Sequence, residues 1–228
     1  MSMSYPFTTT ESPQLGEVGG KALSLIRMTQ AGLPVPPGIV LTLEFFLPWL
    51  ERVVAMPDWA RLLSSPPEDP YRACEAVKAS ALRLDMDNAQ RAVLTQALVE
   101  LAAGGAGGPF AVRSSSPEED LEELSFAGGY ETVLGVKVED IEAAVRRSFV
   151  SCLDERVIVY KREHGLEVSR PRIAVIIQQQ IASDAAGVAF SLNPLNNCYD
   201  EAVINANYGL GESVVSGAVS PDSWVFDK

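Results

Sequence analysis

The sequence is poor in basic residues. Its 228 residues include 18 lysines and arginines against 30 aspartates and glutamates, and the formal net charge is -12 at pH 7. Proteins that bind a nucleic-acid backbone need a basic surface that displaces counterions from the phosphates. The charge balance therefore argues against nucleic acid as a partner.

Long hydrophobic runs and a targeting segment are also lacking. No apolar stretch reaches the roughly 20 residues that a membrane-spanning helix needs, and residues 1–10 lack the charged and then apolar layout of a signal peptide. We therefore expect no membrane partner and a cytoplasmic location. With 47% hydrophobic residues, the chain can bury a core as one large domain or two small ones.

Cysteine and histidine are scarce. Cys74, Cys152 and Cys198 are widely spaced and odd in number, which favours reduced thiols over a disulfide framework or a zinc site. His164 is the only histidine, and it precedes Gly165 at the end of a predicted helix, where an imidazole favours the helix dipole. A mechanism that uses a phosphohistidine must find that histidine elsewhere.

Hydrophobic periodicity predicts a helical half followed by a strand-rich half, which is an α/β (α+β) protein. A glycine-rich joint before Pro109 predicts a helical or mixed subdomain over residues 1–108 and a strand-rich subdomain over residues 109–228. The helices are expected at about 21–31, 43–54, 71–82, 87–103 and 139–161, with Asp87 as a candidate N-cap of the fourth. The strands are expected at about 39–42, 110–113, 172–177, 187–191, 201–205 and 223–226.

The motif Gly19-Gly20-Lys21 stands at a predicted helix start. Glycines allow a close backbone approach to an anion, helix amides point outward, and the lysine adds a full charge. Phosphate binding is one interpretation. An ordinary glycine turn with a solvated lysine is the other, because the motif is not a Walker sequence.

A second motif ends a predicted strand with Arg113 and three serines. An arginine at a strand end can grip phosphate oxygens in a bidentate way, and hydroxyls can donate beside it. The alternative is a structural arginine paired with Glu118, Glu119 or Asp120. The acidic run 118–123 itself is interpreted as a solvated helix start rather than a metal site.

Two further segments are candidate nucleotide contacts. Residues 125–132 hold a glycine pair that can form a hairpin tip and donate amides over phosphates. Residues 175–181 form an apolar strand that ends in three glutamines, which suits a purine edge or a solvated strand end equally well.

Read in order, these segments resemble the N-terminal nucleotide-binding domain shared by phosphoenolpyruvate synthase, pyruvate phosphate dikinase and rifampicin phosphotransferase. The resemblance covers nearly the whole chain, and the order and spacing of its motifs make it specific. It is carried by residues 19–25, 32–38, 111–115, 125–128, 207–212 and 217–222.

The resemblance implies an ATP-grasp fold, in which two lobes hold ATP and magnesium. It implies that cationic side chains contact the ATP phosphates, that a glycine loop covers them, and that the end of a strand meets the adenine. By this resemblance, the phosphate contacts would be Lys21 and Arg113, the loop residues would be Gly128 and Thr132, and the adenine contacts would be Gln178 with the backbone of Gln180 and Ile181.

In the resembled family, a phosphoryl group passes from ATP through a histidine on a separate domain to pyruvate on a third domain, giving phosphoenolpyruvate. The Mg2+ carboxylates of that family come from strands beyond the point where this chain stops. We therefore expect an incomplete ATP-grasp subdomain that lacks turnover by itself. Gln179 and Gln180 also replace the lysine and methionine common in relatives, which removes one positive charge near the nucleotide.

Two other functions are open. One is the ATP-binding part of a rifampicin-type small-molecule phosphotransferase, because the acceptor is chosen by other domains. The other is a non-catalytic nucleotide-binding module that acts by ligand-dependent closure.

Overall fold

A computed structural model describes residues 2–64, 70–118 and 130–228. The chain forms two compact units, Met1–Gln180 and Ile181–Lys228. The predicted boundary after residue 108 lies within the first unit, where strands from both sides of it share one sheet. The subdomain division at that point stays a prediction.

The first unit is built on a five-stranded antiparallel sheet with the order β1-β2-β5-β3-β4. The central strands are buried along nearly their whole length without alternation, because helices cover both faces of the sheet. The strands are β1 (Ser4–Pro6), β2 (Gly38–Leu41), β3 (Phe110–Ser115), β4 (Thr132–Val136) and β5 (Ala174–Gln179).

Helix α1 (Leu15–Gln30) covers one face of this sheet, where its buried Val18, Ala22 and Ile26 pack with Val40 and Ile176. The other helices build a larger core on the opposite face, which includes stacked aromatic rings of α2 and α6. They are α2 (Leu43–Val54), α3 (Pro57–Ser64), α4 (Pro70–Leu82), α5 (Asn88–Ala103), α6 (Ile141–Val150) and α7 (Glu155–Glu163).

One long helix over residues 139–161 was predicted, and this prediction is wrong. The helix is divided into α6 and α7 by a short 3-10 turn at Ser151–Leu153. Asp154 then takes an extended conformation as the N-cap of α7, and its carboxylate forms an ion pair with Lys78 of α4. Helical periodicity contains no signal for this turn or for the tertiary contact beside it.

The second unit has a three-stranded antiparallel sheet with the order β6-β7-β8 and one short helix. Each strand predicted in this region is present, although β6, β7 and β8 are all longer than predicted. The elements are β6 (Ala185–Phe190), β7 (Glu201–Tyr208), α8 (Glu212–Val215) and β8 (Asp222–Asp227). Across the described residues of both units, no helix is long and apolar enough to cross a membrane.

Candidate nucleotide-binding site

Helix α1 is interrupted at Gly19, where the backbone has φ 74° and ψ 167°. This conformation starts a new helical segment two residues before Lys21. A Cβ atom added at Gly19 would lie 2.3 Å from the carbonyl oxygen of Ser115, so only glycine lets α1 approach the end of β3 this closely. The backbone amide of Ala22 donates to the Ser115 hydroxyl at 3.0 Å.

Arg113 lies on the same face of β3 as Ser115, two residues earlier and about 7 Å along the strand. The partners of these two residues on β5 are Ile176 and Ala174, which pack in the core beneath α1. Arg113 is half-buried. Within the described ranges, no carboxylate lies at ion-pair distance from its guanidinium.

The structure therefore brings the backbone segments of Lys21 and Arg113 together at Ser115. Lys21 is half-buried and stands between two residues, Gly19 and Ala22, that both contact Ser115. Thr132 lies directly opposite Arg113 on β4, on the same face of the sheet. Gly128, the other predicted loop residue, lies outside the described residues.

The serines after Arg113 hold the end of β3 in place. The Ser115 hydroxyl accepts from α1, and the Ser116 hydroxyl donates to the carbonyl of Arg172 at 3.0 Å. Ser114 is on the other face, and its buried oxygen has no hydrogen-bond partner among the described atoms. The serines thus alternate between faces instead of lining one edge beside Arg113, as the sequence had suggested.

Glu118 differs from the solvated helix start that was predicted for it. Its side chain is 14% exposed, and its Oε2 lies 2.5 Å from Nζ of Lys161, whose side chain is 3% exposed. The alternative in which Arg113 pairs with Glu118 is therefore wrong. Glu119 and Asp120, the other partners considered, lie outside the described residues.

The predicted adenine contacts stand at the end of β5 and just after it. Gln178 is buried, and its Nε2 donates to the carbonyl of Pro36 at 3.1 Å. The backbone amide of Gln180 donates to Pro109, and its Oε1 accepts from the Gly135 amide at 2.7 Å. Ile181, the first residue of the second unit, is 53% exposed.

Gln180 has a structural task that sequence reasoning missed. The pairing of β3 with β4 shifts between Phe110 and Val112, and Gly135 has a φ of 68° at this irregularity. A bulge leaves a backbone group without a ladder partner. The Gln180 side chain satisfies the Gly135 amide at this point. An adenine contact by Gln180 stays a prediction.

Lys161 was also missed. It is 2% exposed, and it follows Val157 and Ile158 at helical spacing on the stripe that α7 buries. Its position on this apolar stripe was a signal that Lys161 is buried. A buried lysine almost always has a charged partner, so the same signal also indicated an ion pair.

The thiols and the histidine have the local roles that were expected. Burial raises the pKa of Cys74 to about 11 and that of Cys152 to about 12, so both thiols stay protonated and unreactive near neutral pH. His164 is the C-cap of α7, and its Nδ1 lies 2.8 Å from the carbonyl of Tyr160.

In the described part of the chain, no three His, Cys, Asp or Glu side chains are placed together to hold a metal ion. A cavity of about 640 Å³ lies between α2 and the segment before β5, where Phe46 and Ile173 belong to its wall. None of the six predicted site residues that the structure describes lines it.

The architecture is a mixed α+β domain with antiparallel sheets, as predicted, and is compatible with an ATP-grasp-like fold. Residues 15–228 match the family described as pyruvate phosphate dikinase, AMP/ATP-binding domain. The chain belongs to this family, which confirms the resemblance seen in the sequence.

Curated relatives agree with this assignment. The chain is 35% identical over 217 residues to a probable phosphoenolpyruvate synthase of Methanocaldococcus jannaschii and 34% identical over 250 residues to the phosphoenolpyruvate synthase of Pyrococcus furiosus, each covering 92% of this chain. It is also 34% identical over 219 residues, or 96% of its length, to an uncharacterized phosphotransferase of Bacillus subtilis. The matches span 18%, 31% and 24% of these relatives, respectively.

Proposed function

We propose that this chain is the ATP-binding module of a dikinase of the phosphoenolpyruvate synthase type, a kinase with paired acceptors. Such an enzyme passes a phosphoryl group from ATP through a histidine on another domain to pyruvate. Support comes from the AMP/ATP-binding domain family and from two relatives named as phosphoenolpyruvate synthases. The carrying observation is the contact of Gly19 with Ser115, because it joins the Lys21 and Arg113 segments on one sheet face.

In this proposal, Lys21 and Arg113 bind the triphosphate of ATP. The new helical segment after Gly19 presents backbone amides, which together with its dipole favour an anion. Arg113 adds a planar fork of donors that can hold two phosphate oxygens, and Lys21 adds a compact charge. A triphosphate would supply the anionic partner that no described carboxylate gives Arg113.

The remaining predicted residues complete the nucleotide contacts. Thr132 stands opposite Arg113, where it would contact the phosphates together with Gly128. Gln178 would lie by the purine, and the backbone of Gln180 and Ile181 would meet the adenine edge. The Gln180 amide already donates to Pro109, so its carbonyl is the group left for the adenine amino group.

We further propose that the 228 residues bind ATP without turning it over. His164 caps a helix and stacks on Tyr160, so it is not placed as a phosphoryl carrier. Magnesium would supply charge stabilisation during phosphoryl transfer, and the family resemblance places its carboxylate ligands outside these 228 residues. We expect no AMP or phosphate to form when this chain alone is incubated with ATP and magnesium.

A second candidate function is the ATP-binding part of a small-molecule phosphotransferase of the rifampicin type. The Bacillus subtilis relative, named only as a phosphotransferase, favours keeping this possibility. A non-catalytic nucleotide-binding module is the third. The acceptor is set by other domains in the longer enzymes, so the gene sequence around these residues separates the first two candidates.

Calorimetric titration with ATP and magnesium tests the proposal. We expect the wild type to bind ATP. Arg113→Ala and Lys21→Met should each raise the ATP dissociation constant by at least about tenfold, because each removes one charge-assisted hydrogen bond. Arg27→Ala is the matched control, because Arg27 is an exposed arginine on α1.

Three outcomes would contradict the proposal. If the wild type binds no ATP, the assignment of a nucleotide site is wrong. If Arg113→Ala binds ATP normally, the assignment of Arg113 to the phosphates is wrong. Release of AMP or phosphate by this chain alone overturns the expectation that it lacks turnover.

A further inference from the structure

Lys161 is a buried charge on α7. Its side chain is 3% exposed, and its Nζ lies 2.5 Å from Oε2 of Glu118 and 3.4 Å from the carbonyl of Glu167. Glu118 Oε2 is itself fully enclosed and has no well-directed hydrogen bond among the described residues. The contact between the two residues is therefore mainly ionic, in a site from which water is excluded.

This ion pair is connected to the end of β3. The backbone amide of Glu118 donates to the Ser116 hydroxyl at 3.1 Å, and that hydroxyl donates to the carbonyl of Arg172 just before β5. Ser115 is held from the other face by the amide of Ala22. Three residues that follow Arg113, namely Ser115, Ser116 and Glu118, are thus fixed by α1, by the segment before β5 and by α7, respectively.

A buried ion pair is a costly way to gain stability. Desolvation of two charges offsets most of their attraction, and packed apolar residues of similar volume often stabilise a protein as well or better. An ion pair does fix direction, because Glu118 must point at a cation and cannot slide along an apolar surface. Its value here is better explained by the position that it imposes on the chain after Arg113.

A second ion pair in the same unit provides the contrast. Lys78 of α4 pairs with Glu75 on its own helix and with Asp154 at the start of α7, and the Lys78 side chain is 22% exposed. This pair joins helices only. Among the described residues, none of its ion pairs or side-chain hydrogen bonds reaches β3, so it lacks the position of the Lys161 pair.

We infer that Lys161 is a positioning residue for the phosphate grip, acting through Glu118 on the strand end that carries Arg113. The inference rests on the proposed function. Loss of the Lys161 charge would leave the Glu118 carboxylate buried and unpaired, and this carboxylate would move toward water. The shift would displace the end of β3 and disturb the triphosphate contact more than the purine contact.

The test compares the affinities of the full 228-residue chain for ATP with magnesium and for adenosine, which lacks phosphates. For Lys161→Met we expect the ATP dissociation constant to rise by about tenfold, the cost of misaligning one charge-assisted hydrogen bond, while the adenosine constant is unchanged. Lys161→Arg keeps the charge and should restore most of the ATP affinity. Lys78→Met is the matched control and should change neither constant.

Several results would overturn the inference. It fails if Lys161→Met weakens the binding of ATP and of adenosine equally, or if Lys78→Met also weakens ATP binding without changing adenosine binding. If Lys161→Met does not fold, Glu118→Gln, which keeps the side-chain shape, must show the selective loss instead. A wild type that binds neither ligand ends the proposed function and this inference together, whereas normal wild-type binding with an unselective Lys161→Met ends this inference alone.

Discussion

The backbone at Gly19 adopts a conformation that is essentially open to glycine alone. The sequence identified the glycine pair as a candidate for close approach to an anion. What it could not supply is the identity of the neighbour, because Ser115 is remote in the chain and meets Gly19 only through the tertiary fold. The glycine is required by protein packing before any ligand is considered.

We predict that Gly19→Ala lowers the free energy of unfolding by about 3 kcal/mol or more, the sum of backbone strain and an overpacked contact. Gly32→Ala is the matched control. Gly32 also has a positive φ, but an added Cβ would meet nothing within 4 Å, so about 1–2 kcal/mol of strain is expected there. Denaturant unfolding measures both, and equal losses would show that the contact with Ser115 is unimportant.

Lys161 marks the limit of residue-level reasoning from sequence. A lysine three residues after Ile158 fits the buried stripe of α7 by its spacing, yet periodicity alone cannot tell a buried cation from one at the edge of the stripe. Its partner Glu118 was predicted to be solvated as part of an acidic run. Only the tertiary fold, which places α7 beside residue 118 just after β3, brings the two charges together.

Helices with local start and stop signals were the most predictable elements. The prediction matched α2 at both ends, and α5 begins after the predicted N-cap, Asp87. The capping interaction is confirmed, since the Asp87 carboxylate accepts from the Gln90 amide at 2.7 Å. Strands β1 and β4 were not assigned, because short strands with little periodicity are recognised mainly by their pairing.

For α5 we expect Asp87→Ala to lower the free energy of unfolding by about 1 kcal/mol, because it removes an N-cap acceptor. Asp140→Ala is the comparison, since Asp140 is the N-cap of α6 but makes no side-chain cap hydrogen bond. That change should cost less than about 0.5 kcal/mol. Thermal or urea unfolding of the two variants measures both changes. Similar losses of unfolding free energy would contradict a specific role for the Asp87 cap.

At the scale of the whole molecule, the strand order of the first sheet was beyond sequence reasoning. β5 lies between β2 and β3 and pairs with both, so the sheet joins segments that are far apart in the chain. The fold class was accessible because alternating and helical patterns differ in period. Lys21 and Arg113 could be predicted as candidates because one follows a glycine pair and the other ends a strand before three serines. That they lie close together could not be predicted, because it depends on this strand order.

The two units differ in how much apolar surface they bury. Helices cover both faces of the first sheet, whereas Val203 is the only buried apolar residue of the second unit, and Trp224, Val225 and Phe226 are about half exposed. Amide protection follows local burial and packing. We therefore predict that amides of β5 exchange far more slowly than those of β8 in hydrogen-exchange mass spectrometry, and equal protection would contradict this difference.

The central claim is that Lys21 and Arg113 hold one triphosphate on the face of the sheet that α1 covers. A crystal structure of the chain soaked with a non-hydrolysable ATP analogue tests it most directly. We predict that Nζ of Lys21 and the guanidinium of Arg113 both lie about 3 Å from phosphate oxygens. A nucleotide bound in the cavity beside Phe46, or phosphates that contact neither cation, would contradict the claim.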